Sequence, residues 1–157
     1  MTYKIRTTTF SVIIAFVLLL ASFSPASAAP HLNVHIEVDE IIGESGELFL
    51  ASGPAVDAGV VCGYGKVYEL GTTVSGPPSG AFSILTIEKL FQCGDNSGTF
   101  TLKLKVRLDH TTGETSGRWK VTGGTDAYAS LDGQGVIEGT PIVVGTSIHD
   151  VYDGRVR

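Results

Sequence analysis

The chain has 157 residues, of which 43% are hydrophobic and 17% charged, and its formal net charge is −5 at pH 7. This length is enough for one domain with a buried core. The acidic balance disfavours nucleic acid as a partner, since the net field of the protein repels phosphate groups. Composition alone leaves both an enzyme and a binding protein open.

The first thirty residues have the pattern of a secretory signal peptide. Lys4 and Arg6 precede an apolar run over residues 10–20, and small residues follow that run. A basic start, a short apolar stretch and an Ala-x-Ala site are typical of a cleaved signal. We therefore expect cleavage near Ala28 or Ala29.

This pattern divides the chain into a signal peptide over residues 1–29 and a single domain over residues 30–157. The domain is expected to be secreted, with no transmembrane anchor after cleavage. The alternative is an uncleaved membrane anchor, which the apolar run disfavours because it is shorter than the ~20 residues that span a bilayer.

Apolar and polar residues alternate along most of the remaining chain. In residues 100–109 five apolar side chains alternate with polar ones, which is typical of a β-strand with one buried face. Glycine-rich and proline-rich turn segments separate such runs, so the pattern indicates an all-β barrel or sandwich. The predicted strands cover residues 32–39, 47–52, 65–74, 81–92, 99–109, 114–122, 134–139 and 141–148.

One predicted hairpin has a register that the sequence specifies. If residues 110–113 form a four-residue loop, Leu104 faces Trp119 and Leu102 faces Val121 on the same side of the hairpin. A slip of one residue would move the tryptophan to the opposite side. We therefore expect Trp119 to lie in the core beside Leu104.

The opposite face of the same hairpin is basic. The register places like charges opposite each other, which is destabilising. One interpretation is a solvated face whose charge is offset by carboxylates such as Glu88, since runs of charge are usually solvated. The other is an anion-binding surface for an anionic envelope polymer or membrane headgroups. The residues concerned are Lys103, Lys105, Arg107, Arg118 and Lys120.

Only two cysteines occur, Cys62 and Cys93. An even count in an exported protein suggests a disulfide, which would stabilise the fold by about 3.5 kcal/mol in the chain-entropy model. A pair of free thiols with a redox or metal role is the alternative, and the absence of a Cys-x-x-Cys motif disfavours it.

The stretch GTDAYASLDGQG, residues 124–135, is rich in glycine. Glycines in strands mark bends or bulges, and a barrel needs such corners. One helical turn in this stretch could direct Tyr128 and Leu131 into the mouth of the barrel as a plug. We name Trp119 and Tyr128 as candidate ligand-binding residues at that mouth.

Four segments resemble a group of small exported bacterial proteins of unknown function. They are Cys62-Gly63, FQCGDNSGTF at residues 91–100, GRW at residues 117–119 and the stretch at residues 124–135. The last segment is also similar to the closing segment of allene oxide cyclase-like and dirigent-like β-barrels. The resemblance covers residues 48–140. It implies a closed antiparallel barrel of about eight strands and a bridge between the two cysteines.

The chain departs from the pattern of that group at three places. Asp126 and Asn96 stand where glycine is usual, and Tyr64-Gly65 follows Cys62-Gly63. These changes concern loop conformation and leave the expected fold unchanged. The resemblance supplies no catalytic residue that can be mapped onto this chain.

Motifs for known catalytic or metal chemistry are missing from the sequence. No Gly-x-Ser-x-Gly or Ser-x-x-Lys motif is present, and the sequence contains no His-Glu-x-x-His zinc motif. Residues 94–98 contain oxygen ligands but lack the alternating pattern of a calcium loop. We therefore expect no metal and no cofactor, and the catalytic residues, if any, stay unknown.

Three hypotheses about function remain. The first is a secreted, non-enzymatic barrel that binds a small apolar ligand or an anionic envelope partner. The alternative is a cyclase-like or isomerase-like enzyme that acts on a hydrophobic substrate inside the barrel, which would need an acid or tyrosine pointing into a hollow interior. The third is a structural or inhibitory module that acts through its surface.

Overall fold

The computed structural model describes residues 29–77 and 80–157, and these residues form eight strands. The predicted signal peptide lies outside the described residues, apart from Ala29. Two short helical segments accompany the strands: α1 at Pro54–Asp57 and a 3₁₀ helix at Asp126–Tyr128. The strands are β1 Leu32–Ile41, β2 Glu47–Ser52, β3 Tyr64–Ser75, β4 Phe82–Cys93, β5 Thr99–Asp109, β6 Thr115–Gly124, β7 Gly133–Val143 and β8 Ser147–Val156.

The eight strands form a closed antiparallel barrel in sequence order. Each strand pairs with the next one along the chain, and β8 returns to pair with β1 from Leu32 opposite Val156 to Ile41 opposite Ser147. Closure matters because every strand then has a partner on both sides. The predicted fold class, an all-β closed barrel of about eight strands, is confirmed.

The register of the β5–β6 hairpin agrees with the sequence prediction. Leu104 lies opposite Trp119 and Leu102 opposite Val121. Trp119 is 2% exposed and Leu104 is fully buried, so the indole lies inside the barrel. The alternation of residue types along this hairpin was therefore enough to determine its inner face.

The prediction for the last two strands was wrong. The sequence suggested two strands, over residues 134–139 and 141–148, with a break at residue 140. Instead Pro141 lies within β7, next to a shift in register between Pro141 and Val143. The turn comes after it, where Gly145 has a φ of 74°.

The two ends of the barrel are built differently. The hairpin end carries the β1–β2, β3–β4, β5–β6 and β7–β8 connections, and the plug end carries the other three. At the plug end α1 buries Ala55, and the Cys62–Cys93 disulfide, with Cα atoms 5.9 Å apart, ties the β2–β3 connection to β4. The predicted disulfide is thus present. Tyr128 is 4% exposed and its hydroxyl lies 2.8 Å from Ser97 Oγ.

Among the described residues, two that are not glycine have a positive φ. They are Asn96, at 62°, and Asp126, at 51°. Both are positions at which the sequence departs from the glycine of the resembling group. Asn and Asp tolerate the left-handed conformation better than most residues, so the departures keep the glycine-like backbone.

Candidate functional site

A layer of aromatic side chains fills the middle of the barrel. The rings of Phe91 and Phe100 stack with centroids 4.9 Å apart, and Phe49 meets Phe91 edge to face at 5.2 Å. Tyr152 also meets Phe91 edge to face, with ring centroids 5.8 Å apart. Aromatic pairs with these geometries stabilise the core beyond the area that they bury.

The interior near Trp119 is filled. A cavity of only about 10 Å³ lies there, which is at the lower limit for one water molecule. The indole packs over β7 and β8 at Gly135 and Gly154, where an added Cβ would collide with it. Trp119 and Tyr128 are therefore both packed in the core. The ligand-binding role predicted for them stays a prediction. Neither residue lines the cavity at the hairpin end, which is described next, and Trp119 borders a groove on the outside of the barrel.

A cavity of about 400 Å³ opens at the hairpin end of the barrel. Its rim includes the β1–β2 turn and residues of the β5–β6 and β7–β8 turns. This volume lies within the range of small-molecule pockets, about 300–1,000 Å³. The walls are mainly aliphatic and include Val67, Leu85, Ile87, Val106, Ile137 and Ile148.

A buried ionic cluster lines the inner part of this cavity. Lys89 on β4 is 2% exposed. Its ammonium donates hydrogen bonds to Glu40 on β1, to Asp150 Oδ2 on β8 at 3.3 Å and to the hydroxyl of Tyr152 at 3.2 Å. An ammonium has three donors and no acceptor, so these partners use all three hydrogens. A buried lysine without such partners would be strongly destabilising.

The cluster has more negative than positive groups. Burial raises the pKa of Glu40 above its ordinary value of 4.5 and that of Asp150 above 3.8, although the charge of Lys89 opposes both shifts. Burial also raises the pKa of Tyr152, which stays neutral at pH 7. Burial alone would lower the pKa of Lys89, but its anionic neighbours raise it overall. One cation therefore faces two carboxyl groups that retain protons more readily than usual.

One oxygen of the cluster has no hydrogen-bond partner among the described residues. It is Oδ1 of Asp150, a residue that is 5% exposed and lines the cavity. The oxygen lies over Gly139, whose missing side chain leaves the space that the carboxylate occupies. A buried acceptor without a partner is costly, and such groups in native structures commonly have a functional explanation.

The five residues of the predicted basic face are all exposed on the outside of the β5–β6 hairpin. Lys105 lies opposite Arg118 and Lys103 opposite Lys120, as predicted, and Glu88 lies opposite Lys103 on the other side. Lys103, Lys105, Arg118 and Lys120 border an outer groove of about 690 Å³.

Only one of the five forms an ion pair within residues 29–77 and 80–157. Arg107 lies 3.6 Å from the carboxylate of Asp109 and 4.7 Å from the ring of Phe82. The other four positive charges face solvent, so their function as an anion-binding surface stays a prediction.

The sequence contained a signal for the ionic cluster that the strand prediction did not use. Lys89 is in phase with Leu85, Ile87 and Phe91, which places it on the inner face of β4. A charged residue in phase with a buried apolar set indicates an inward-pointing charge. Glu40 falls one residue beyond the predicted end of the first strand, in phase with its buried residues.

Asp150 was missed for a different reason. It lies in β8, beyond the predicted end of the last strand, and is in phase with the buried Tyr152 and Val156. The polar residues around it concealed the alternation. Glu40 and Asp150 were therefore missed because the predicted strands ended before them. Lys89 was missed because it is a single charge within an otherwise apolar face.

Two kinds of feature are absent from the part of the chain that the structure describes. No group of three His, Cys, Asp or Glu side chains there has an arrangement that could hold a metal ion. No helix in residues 29–77 and 80–157 has the length and apolar character needed to cross a bilayer.

Comparison with known proteins does not assign a family. No protein-family model matches the chain, and no curated protein is significantly similar to it. The resemblance to the small exported bacterial proteins therefore remains a hypothesis based on the motifs quoted above, and the structure establishes the barrel alone.

Proposed function

We propose that this barrel binds a small, mainly apolar molecule in the cavity at its hairpin end. The observation that carries the proposal is a cavity of about 400 Å³ with aliphatic walls and one buried polar cluster at its inner part. Ligand pockets typically combine an apolar lining with a few polar groups that fix the orientation of the ligand. The walls would supply affinity by burying apolar surface.

The position of the ionic cluster supports a binding function over a purely structural one. A buried ion pair is often no more stabilising than apolar residues of the same volume. Lys89 occupies an inner position of β4 between Ile87 and Phe91, where an aliphatic residue would suit the alternation equally well. Lys89 holds the buried carboxyl groups of Glu40 and Asp150 beside an open cavity, and these carboxyl groups are the part of the cluster that could orient a ligand.

Binding of an apolar probe to the wild type and to a variant whose cavity is filled by a larger side chain tests this proposal. We expect 1-octanol to bind saturably and to shift the NMR signals of residues that line the cavity. Ile87→Trp should weaken this binding about tenfold or more, because the indole would occupy the cavity. The matched control is Leu50→Trp, since Leu50 is 65% exposed on the outside of β2. Octanol that perturbs only the outer surface, or equal binding by both variants, would contradict the proposal.

Proton-transfer catalysis on such a ligand is a second candidate. Glu40 and Asp150 have raised pKa values because they are buried, and both line the cavity. Acids with raised pKa values that face a cavity are candidates for general acid–base chemistry. An isomerase or cyclase of this kind would move a proton between carbon atoms of the ligand.

Hydrogen exchange distinguishes catalysis from binding. The molecule that co-purifies with the protein, identified by native mass spectrometry, would be incubated with the protein in D₂O. A catalyst would introduce deuterium at carbon, and Asp150→Asn would abolish the exchange. Binding without exchange would remove the catalytic candidate and leave the binding proposal intact.

We also infer that the protein is exported and belongs with the small exported bacterial barrels that its motifs resemble. The disulfide between Cys62 and Cys93 supports export, since such bonds persist in oxidising compartments. Intact-mass analysis of protein from the culture medium should show an N-terminus near Pro30 and no alkylatable thiol. An uncleaved N-terminus in membrane-bound protein would contradict export.

A further inference from the structure

The charged residues at the hairpin-end cavity are mostly acidic. Among the described residues that line it, Lys89 is opposed by five carboxylate side chains, which lie on four strands and one turn. The potential inside an apolar cavity with this lining favours positive charge, because field lines are concentrated where the dielectric constant is low. The five are Glu40, Glu44, Glu47, Glu69 and Asp150.

Lys89 does not offset this preference. Its three hydrogens already point to Glu40, Asp150 and Tyr152, so an anionic group of a ligand would find no free donor on it. Such a group would also approach two carboxyl groups. A ligand carboxylate or phosphate is therefore disfavoured at this position both by hydrogen bonding and by charge.

Asp150, in contrast, has an acceptor oxygen that lacks a hydrogen-bond donor in the part of the chain that the structure describes. Its Oδ1 is buried and accepts no hydrogen bond among the described residues, while Oδ2 is held by Lys89. An N–H donor brought by a ligand would satisfy the free acceptor. A positively charged donor would in addition balance the excess carboxylate of the cluster, and charge-assisted hydrogen bonds of this type are the strong ones.

We infer that the molecule bound in this cavity is an apolar amine, with its hydrocarbon body against the aliphatic walls and its ammonium group beside Asp150 and Glu40. This inference rests on the proposed function of the cavity and adds the chemical class of the ligand.

Binding of an ammonium group should depend on pH. Burial raises the pKa values of Glu40 and Asp150 above their ordinary values, so at acidic pH a proton on these carboxyl groups competes with the ammonium group. The bound cation replaces this proton, and the affinity for the amine therefore rises with pH until both carboxyl groups are ionised. The groups that face the site are Glu40 on β1, Glu44 in the β1–β2 turn, Glu47 on β2, Glu69 on β3, Lys89 on β4, and Asp150 and Tyr152 on β8.

The experiment compares three probes that differ only in their polar end: n-octylamine, 1-octanol and octanoate. Titration calorimetry at pH 7 should give an affinity for the amine about tenfold or more above that for the alcohol, and octanoate should bind more weakly than the alcohol. Repeating the amine titration at a series of lower pH values should give an affinity that falls as Glu40 and Asp150 become protonated.

Asp150→Asn keeps the shape of the side chain and removes its charge. It should reduce the preference for amine over alcohol about tenfold while leaving the affinity for octanol within threefold. Glu88→Gln is the matched control, because it removes one exposed carboxylate on the outer face of β4 and should leave the preference unchanged. If Asp150→Asn does not fold, Glu69→Gln at the exposed rim should still lower the preference, by about twofold to threefold.

The outcomes separate the two proposals. Equal affinities for the amine and the alcohol, or tightest binding of octanoate, would overturn the amine inference and leave the apolar cavity as a binding site. An affinity for the amine that rises as the pH falls would also overturn it. Failure of all three probes to bind would overturn the proposed function itself.

Discussion

Lys89 and Asp150 are 61 residues apart in the sequence, and their ammonium and carboxylate groups lie 3.3 Å apart inside the barrel. The side chains are 3% and 7% exposed. Both groups are buried away from water, so each charge depends on its partner for compensation. Removing the lysine would leave the carboxylate as an uncompensated buried charge. This relationship governs the stability of the barrel near its cavity and the chemistry available there.

Removing the lysine should be strongly destabilising. In Lys89→Met the carboxyl groups of Glu40 and Asp150 remain buried without a cation, and we expect a loss of about 3–5 kcal/mol in the free energy of unfolding at pH 7. Urea denaturation would measure it. Lys103→Met, on the exposed face, should change the value by less than about 0.5 kcal/mol. A similar small change for Lys89→Met would show that the buried pair does not stabilise the fold.

The stability of the barrel should depend on the ionisation of Asp150. Its folded pKa lies above the ordinary value of 3.8, so between those two values the folded state binds more protons than the unfolded state. The contribution of Asp150 to the free energy of unfolding is therefore greatest below pH 3.8 and is lost as the pH rises through the raised pKa. The free energy of unfolding of the wild type, minus that of Asp150→Asn, should fall across this window in denaturation experiments. A difference that rises with pH would contradict the raised pKa.

Gly154 should tolerate no side chain. A Cβ at this position would overlap the indole of Trp119 and lie 2.9 Å from the Cα of Gly135, so Gly154→Ala should destabilise the barrel by about 1–3 kcal/mol. Gly71→Ala is the control, because a Cβ there would have no neighbour within 4 Å. Thermal unfolding would compare the two. Trp119→Phe should recover part of the loss, and full tolerance of Gly154→Ala would show that the indole does not lie against β8.

The left-handed backbone at Asp126 should favour glycine. With φ at 51°, Asp126→Gly removes the steric cost of the Cβ, which we expect to stabilise the fold by up to about 1 kcal/mol. Asp126→Ala should destabilise it, since alanine keeps the Cβ and lacks the polar side chain that tolerates this conformation. Urea denaturation would give both values. An alanine variant more stable than the glycine variant would contradict the left-handed backbone at Asp126.

The basic face can be tested by reversing its charge. Lys103→Glu/Lys105→Glu/Arg118→Glu should lose binding to liposomes that contain anionic lipid, measured by co-sedimentation at low salt, because the attraction is electrostatic. The control makes the same change in net charge elsewhere, at exposed positions: Lys66→Glu/Arg155→Glu/Arg157→Glu. Equal binding by the wild type and the first variant would reject the anion-binding surface.

The strands with clean alternation were predictable from sequence, and those with polar interruptions were not. The first six predicted strands match those of the structure to within two residues, and the β5–β6 register follows from one loop length. β8 was missed because His149, Asp150, Asp153 and Arg155 made it look like a polar tail. Its position depends on pairing with β1, which lies at the opposite end of the chain.

The sequence by itself determined the β-rich character of the chain, the inner position of Trp119 and the pairing of Cys62 with Cys93. These features depend on local alternation or on there being only two cysteines. The cavity and its cluster were decided by tertiary structure alone. Glu40, Lys89 and Asp150 come from β1, β4 and β8, and no local pattern relates them. Closure of the barrel brings β8 beside β1, and the long side chain of Lys89 then reaches both carboxyl groups from β4. The physical reason is that ion pairing in a low-dielectric interior depends on distance in space, which strand order and closure decide.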